Sequence, residues 1–263
     1  MSHFDKQKAF GQHFLIDPVV ITTIGKAALD ALIRNPGHAL LEIGPGKGAI
    51  TRPLMENVPK EIPFYIAERD REFIDYWKPE TRFAKILEGD VLRQDENEFA
   101  AIGPMVVVSN LPYSAGTAIV VMLCEMKHQI PEMVLMFQAE VAKRLYSGPS
   151  TPDRGSLSLY IQNEWDIEKL ITVKPAAFNP PPRVMSEVVR LKRREKSHIP
   201  VETVADRKRF NDLLKRAFQQ RRKMLKGNFN GTLWQQSLER SGVDPTLRAE
   251  ALEWKDWIAL WNA

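Results

Sequence analysis

Short aliphatic runs, separated by helix-like stretches, recur along this chain. The runs are HALLEIG (38–44), PFYIAE (63–68), AKILEGD (84–90), MVVVSN (105–110) and EMVLMF (132–137). Continuous apolar runs of this length suit strands buried on both faces, as in a parallel sheet. Helical patterns such as Asp70–Trp77 and Thr117–His128 lie between them. The alternation predicts a doubly wound α/β domain. IEKLITV (167–173) and SEVVRL (186–191) read as further strands that an antiparallel pairing would suit.

Near Arg190 the composition changes. RLKRREKSHIP is charged and ends at Pro200, and no strand pattern follows it. The expected division is an α/β domain over 1–196 and a small all-helical domain over 197–263. Residues 204–228 have helical spacing, with Phe210, Leu213, Leu214, Ala217, Phe218, Met224 and Leu225 on the apolar side and Gly227 as the expected C-cap. TLWQQSLERSG and DPTLRAEALEWKDWIALWNA add two or more helices, whose tryptophans 234, 254, 257 and 261 are expected in a helical core.

Composition excludes some classes. Cys124 is the sole cysteine, so neither an internal disulfide nor a multi-thiolate metal site can form. The amino-terminal MSHFDKQKAF has no apolar signal core, and no run approaches the ~18 apolar residues of a membrane span. The expectation is a soluble, monomeric, cytoplasmic protein with no metal. A net charge of +4 decides little by itself.

Chemistry concentrates where the runs end. After the first come Gly44, Gly46 and Gly48, then a helical segment. Glycines there permit tight turns and close approach of a ligand, and with Ala49 the spacing fits a relaxed dinucleotide fingerprint. An ordinary strand–helix turn would look similar. The next run ends at Glu68, a carboxylate with lone pairs for two ribose hydroxyls. The third ends at Asp90, which could accept from an adenine amine or simply cap a helix. In open parallel sheets, ligands bind outside the carboxyl ends of the strands.

The fourth run ends in Asn110-Leu111-Pro112-Tyr113. A hydride-transfer enzyme would not need that sequence. Methyl transfer to an exocyclic adenine nitrogen would. That amine is a poor nucleophile because its lone pair is delocalised into the ring. Acceptors that hold its two hydrogens favour a pyramidal, reactive nitrogen. The Asn110 oxygen and the Leu111 carbonyl can be those acceptors, with Pro112 stiffening the chain beyond. Tyr113 offers a flat face for the base, worth roughly 1–3 kcal/mol. The bland alternative is a proline turn beside a half-buried tyrosine.

At this point the chain resembles the ribosomal RNA adenine dimethyltransferase family that acts on the small subunit. FGQHFL (10–15), EIGPGKGAIT (42–51), ERDRE (68–72), EGD (88–90), NLPY (110–113), AFNPPPRV (177–184) and AFQQRRK (217–223) follow that family's order. The resemblance implies a Rossmann-like class I methyltransferase domain with S-adenosylmethionine as methyl donor. Residues matching donor-binding positions are His13, Leu15, Gly44, Glu68, Asp90 and Asn110, with Gln12 and Gly46 lining the same site. Asn110, Leu111, Pro112 and Tyr113 match the target-amine site, and Phe178 matches an aromatic that covers the other face of the base. The implied reaction is N6,N6-dimethylation of two adjacent adenosines in the 3′-terminal hairpin, helix 45, of 16S rRNA within the 30S particle. Some positions depart from the family pattern: only Lys6 and Lys8 supply basic charge before the first motif, Arg69 replaces a hydrophobic residue, Gly116 a serine and Met185 an acid.

The carboxyl-terminal segment carries Arg207, Lys208, Arg209, Lys215, Arg216, Arg221, Arg222, Lys223 and Lys226. Such density suggests a phosphate-binding surface, with Arg207, Lys208, Arg216, Arg221, Arg222 and Lys223 as candidate RNA contacts. Two alternatives stay open: a large-subunit adenine dimethyltransferase of the antibiotic-resistance type, and a ribosome-assembly factor whose binding outweighs catalysis.

Overall fold

The structure, a computed structural model, describes residues 13–263. Packing divides the chain into two units. One runs to Ala142 and includes Ile167–Arg193; the other joins Lys143–Asp166 to Arg194–Ala263.

The first unit is built on a twisted sheet flanked by helices. Its elements are β1 (Phe14–Leu15), α1 (Pro18–Arg34), β2 (Ala39–Ile43), α2 (Thr51–Asn57), β3 (Phe64–Glu68), α3 (Arg71–Trp77), β4 (Lys85–Glu88), α4 (Glu96–Ile102), β5 (Met105–Asn110), α5 (Gly116–Glu125) and β6 (Glu132–Gln138). After α6 (Ala139–Tyr146) and α7 (Ser156–Gln162) come β7 (Trp165–Val173), β8 (Phe178–Asn179) and β9 (Ser186–Arg193). The strand order is β4-β3-β2-β5-β6-β9-β7. From β4 to β6 every pairing is parallel, and β9 returns antiparallel to β6. The five runs expected as strands are therefore the five parallel strands. Every residue of β2 is buried, and β5 is buried from Met105 to Ser109, as helices on both faces require. The sheet reverses between β2, which neighbours β3, and β5, which neighbours β6. The carboxyl ends of β2 and β5 open a crevice there.

Local signals set the elements around this crevice. Asp17 caps α1, its Oδ1 accepting from the Val19 and Val20 amides at 2.8 and 3.2 Å, with Pro18 in the first turn. Val20, Ile24, Ala28, Ala31 and Leu32 form the buried stripe of that helix. Ser109 Oγ donates to the Ile43 carbonyl at 2.6 Å, fastening the ends of β5 and β2 to each other.

The second unit has its own core. Leu159, Phe210, Leu213, Leu214, Leu225, Phe229, Trp234, Leu252, Trp257 and Trp261 pack together, with Trp254 against their edge. The expectation of one cut at 196/197 differs from this, because α7 contributes Leu159 to the helical core. Single-sequence patterning cannot reveal such a return of the chain. The helices are α8 (Val204–Ala217), α9 (Leu225–Phe229), α10 (Trp234–Ser241) and α11 (Trp254–Asn262). The helix expected over 204–228 is thus two helices. Asn228 explains the break: its Nδ2 donates to the carbonyls of Ala217 at 2.7 Å and Gln220 at 3.3 Å, satisfying the end of α8. Gly227 lies inside α9 and does not cap it; Asn230 does. Among the described residues no helix is long and apolar enough to cross a membrane.

Candidate active site

The loop after β2 has glycine in left-handed backbone at three positions, with φ of +70° at Gly44, +49° at Gly46 and +87° at Gly48. Two side chains hold it. Gly46 N–H donates to Glu68 Oε2 at 3.1 Å, and the Gly46 carbonyl accepts from Trp77 Nε1 at 3.0 Å. A Cβ on Gly48 would lie 2.7 Å from the Trp77 ring, so any side chain there would strike the indole.

Glu68 ends β3 and is nearly buried at 7% exposure. Its Oε1 accepts from the Arg69 and Asp70 amides at 2.8 and 2.9 Å. Burial pushes its carboxyl above the usual range, and these amide bonds partly oppose that. With three amides bound, the carboxylate keeps about one free lone pair, on Oε2. The expectation that it accepts two hydroxyls must therefore be shared with the loop.

Behind it lies a second carboxyl that sequence reasoning passed over. Glu42, in β2, is 2% exposed, and burial raises its pKa to about 8, with the Glu68 charge adding to the effect. Thr51 lies near enough to oppose the rise, yet neither its hydroxyl nor Glu42 Oε2 makes a hydrogen bond. An acid inside a strand buried on both faces was the available signal in the sequence.

Asp90, expected to accept from an adenine amine, also makes the cap weighed against that reading. Its Oδ1 caps the short turn Val91–Arg93 through the Leu92 amide at 3.1 Å, and Oδ2 faces Arg69 Nη1 at 3.8 Å. The departure at Arg69 thus puts a cation beside this carboxylate.

Asn110 ends β5, half-buried, and Leu111 is buried with its amide donated to the Met136 carbonyl at 3.2 Å. The Pro112 carbonyl accepts from Ala115 and Gly116 at 3.1 and 2.9 Å, so the chain turns at once into α5. From that turn the Tyr113 side chain reaches past β6 to β9. Its hydroxyl lies 2.7 Å from Ser186 Oγ on β9, and its ring centroid is 5.5 Å from that of His13. Burial raises the Tyr113 phenol pKa, with the Ser186 bond working against it. His13 Nδ1 is in turn 2.8 Å from the Pro180 carbonyl.

His13, Leu15, Gly44, Gly46, Glu68, Asp90, Asn110, Leu111, Pro112 and Tyr113 all line one cavity of about 520 Å³. Glu42, Phe14 and Arg69 line it as well. The volume is that of a small-molecule site. Phe178 is a correction: it is 2% exposed, lies in the main core, and does not line the cavity. It pairs with Leu15 across the short β1–β8 ladder, so its packing supports the segment that carries His13. Gln12, with Lys6 and Lys8, lies outside the described residues.

In the helical unit the candidate cations divide by what they already hold. Arg221 donates to the Pro152 and Arg154 carbonyls at 2.6 and 3.0 Å, and Arg216 pairs with Asp212 at 3.3 Å. Arg209 lies over the Trp261 ring at 4.3 Å. Lys208, Lys215, Arg222, Lys223 and Lys226 are exposed, and Arg207 is partly so.

Residues 3–263 match the family model described as Ribosomal RNA adenine dimethylase. A Ribosomal RNA small subunit methyltransferase A from Thiobacillus denitrificans is 37% identical over 97% of this chain and 96% of its own. One of the same name from Nitrosomonas eutropha is 36% identical over 99% and 97%. Among solved structures, a dimethyladenosine transferase from Plasmodium falciparum superposes with a TM-score of 0.74 at 22% identity, covering 94% of this chain and 96% of that one. The 23S rRNA methyltransferase ErmE gives 0.68 at 22% identity, covering 95% and 98%. These two likenesses establish the fold.

Proposed function

The chain belongs to the ribosomal RNA adenine dimethylase family, and on that premise we propose that it dimethylates N6 of two adjacent adenosines in the 3′-terminal hairpin of 16S rRNA. The observation that carries the choice of the small subunit is the near full-length similarity, at 36–37% identity, to proteins named for that subunit. The fold alone does not choose, because the large-subunit enzyme ErmE shares it.

S-adenosylmethionine is the methyl donor in this reading. The cavity suits it by chemistry: a cation with ribose hydroxyls and an adenine amine meets the carboxylates Glu68 and Asp90, and the buried Glu42 carboxyl, largely neutral below about pH 8, has an Oε2 with no hydrogen-bond partner in the protein. Gly44, Gly46 and Glu68 would hold the donor near the loop, Asp90 its adenine, and His13 and Leu15 would close one side. When bound, the donor supplies a methyl group activated by its sulfonium.

The protein's own part is alignment. Asn110 Oδ1 and the Leu111 carbonyl take the two hydrogens of the target amine and favour a pyramidal nitrogen. Tyr113, held by Ser186, stacks on the base once it has left its helix. No strong base is required, since the proton leaves after nitrogen has become cationic. Orientation of this kind accounts for much of the acceleration. A monomer whose helical unit binds RNA through Lys208, Arg222 and Lys223 completes the proposal, with Arg207, Arg216 and Arg221 beside them.

The test is transfer of tritiated methyl groups to under-methylated 30S particles, followed by mapping of the labelled nucleotides. Label on two adjacent adenosines of the 3′-terminal hairpin is expected. Label only in the large subunit would refute the assignment.

A further inference from the structure

We infer that Trp77 is a positioning residue for the methyl donor, its indole holding the glycine loop in the conformation that lines the cavity. The inference rests on the reading of that cavity as the donor site.

Three observations carry it. First, Gly46 is held at both of its peptide groups: Glu68 Oε2 takes the N–H at 3.1 Å from the end of β3, and Trp77 Nε1 donates to the carbonyl at 3.0 Å from the end of α3. Second, the indole fills the space beside Gly48 so closely that a Cβ there would lie 2.7 Å from its Cη2 and Cζ2. Third, the ring cannot easily swing away. It is 2% exposed, stands edge-on to Phe83 at 5.6 Å and to Tyr76 at 4.8 Å, and has the Arg52 guanidinium 5.4 Å from its centre.

The physical need follows from the glycines. Gly44, Gly46 and Gly48 have no side chains to restrict them, and glycine loses more backbone freedom on ordering than any other residue. Left unclamped, the loop would order only when ligand arrived, and affinity would fall accordingly. The indole bond moves that ordering to the folding step. A carbonyl has two lone pairs, so accepting from Trp77 leaves Gly46 able to accept from a ligand as well.

The test uses Trp77→Phe in the full-length protein, which keeps an aromatic ring and removes the N–H. Calorimetric titration with S-adenosylhomocysteine is expected to show a Kd roughly fivefold higher, about the effect of one net hydrogen bond. Donor KM should rise by more than kcat falls. Trp254→Phe, in the helical unit, should leave the Kd unchanged. In the 15N spectrum of the unsubstituted protein, the Trp77 indole signal should shift when S-adenosylhomocysteine is added. Should Trp77→Phe fail to fold, that signal, assigned through its proximity to Gly46 and Phe83 protons, carries the test alone. Equal affinity in the variant, with or without a lower Tm, would overturn the inference, as would an indole signal unmoved at saturation. Failure of the unsubstituted protein to bind S-adenosylhomocysteine would overturn the donor reading, and this inference with it.

Discussion

Tyr113 and Ser186, 73 residues apart in sequence, place their hydroxyl oxygens 2.7 Å from each other. Ser186 is fully buried at the start of β9, so the bond fixes the phenol from a strand that pairs with β6 and not with β5, which leads into Tyr113. The consequence is an aromatic ring with little freedom to rotate. Ser186→Ala should lower the ratio of dimethyl- to monomethyladenosine in digested rRNA, because the bulkier monomethylated amine tolerates less misalignment. Tyr113→Ala, which removes the ring, should cost about 1–3 kcal/mol, or roughly 5- to 150-fold in kcat/KM for the RNA particle. A Ser186→Ala product ratio equal to that of the parent would deny the bond any positioning role.

Asn110→Ala should reduce methylation by about 10²- to 10³-fold, the usual loss when one preorganised hydrogen-bonding group is removed. Binding to small-subunit precursors should be nearly unchanged, as measured by sedimentation. Parallel loss of both properties would mean that Asn110 shapes the site and does not act on the amine.

Glu42 predicts how stability depends on pH. Its folded pKa, about 8, lies above the ordinary glutamate value of 4.5, so the folded protein binds the proton more tightly than the unfolded chain does. The resulting stabilisation is complete below about 4.5 and is lost as pH rises through about 8. Urea unfolding midpoints should therefore fall between about pH 5 and about pH 8.5, by the equivalent of a few kcal/mol at most. Glu42→Gln, which imitates the protonated acid, should flatten that slope. An unchanged slope in the variant would assign the dependence to other groups.

The helical unit should bind RNA less tightly as salt rises. Replacing Arg222 or Lys223 by Ala should reduce the log–log salt slope by about 1 for each phosphate that is no longer neutralised. Arg221→Ala should act differently. Its guanidinium holds the Pro152 and Arg154 carbonyls, so a lower Tm is expected in addition to any change in affinity. Filter binding across a salt series, with thermal unfolding beside it, separates the two behaviours.

Much of this was legible in the sequence because it depends on local pattern. A strand buried on both faces must be continuously apolar, so the central runs of β2 and β5 announced core strands, whereas β4, at the edge of the sheet, buries only Leu87. In a parallel sheet the functional residues gather at the carboxyl ends, so Gly44, Glu68, Asp90 and Asn110 could be assigned to one crevice by position. Contacts between partners distant in the chain had no such local signature. Trp77 meets Gly46 across 31 residues, and Tyr113 meets Ser186 across 73. Phe178 is drawn into the core by the ladder between β1 and β8, although its motif suggested an aromatic lying against the target base. Asn228 ends α8 by reaching back 11 residues to Ala217. Periodicity reports which face of an element is buried; it carries no information about which side chain from elsewhere arrives to pack or bond there.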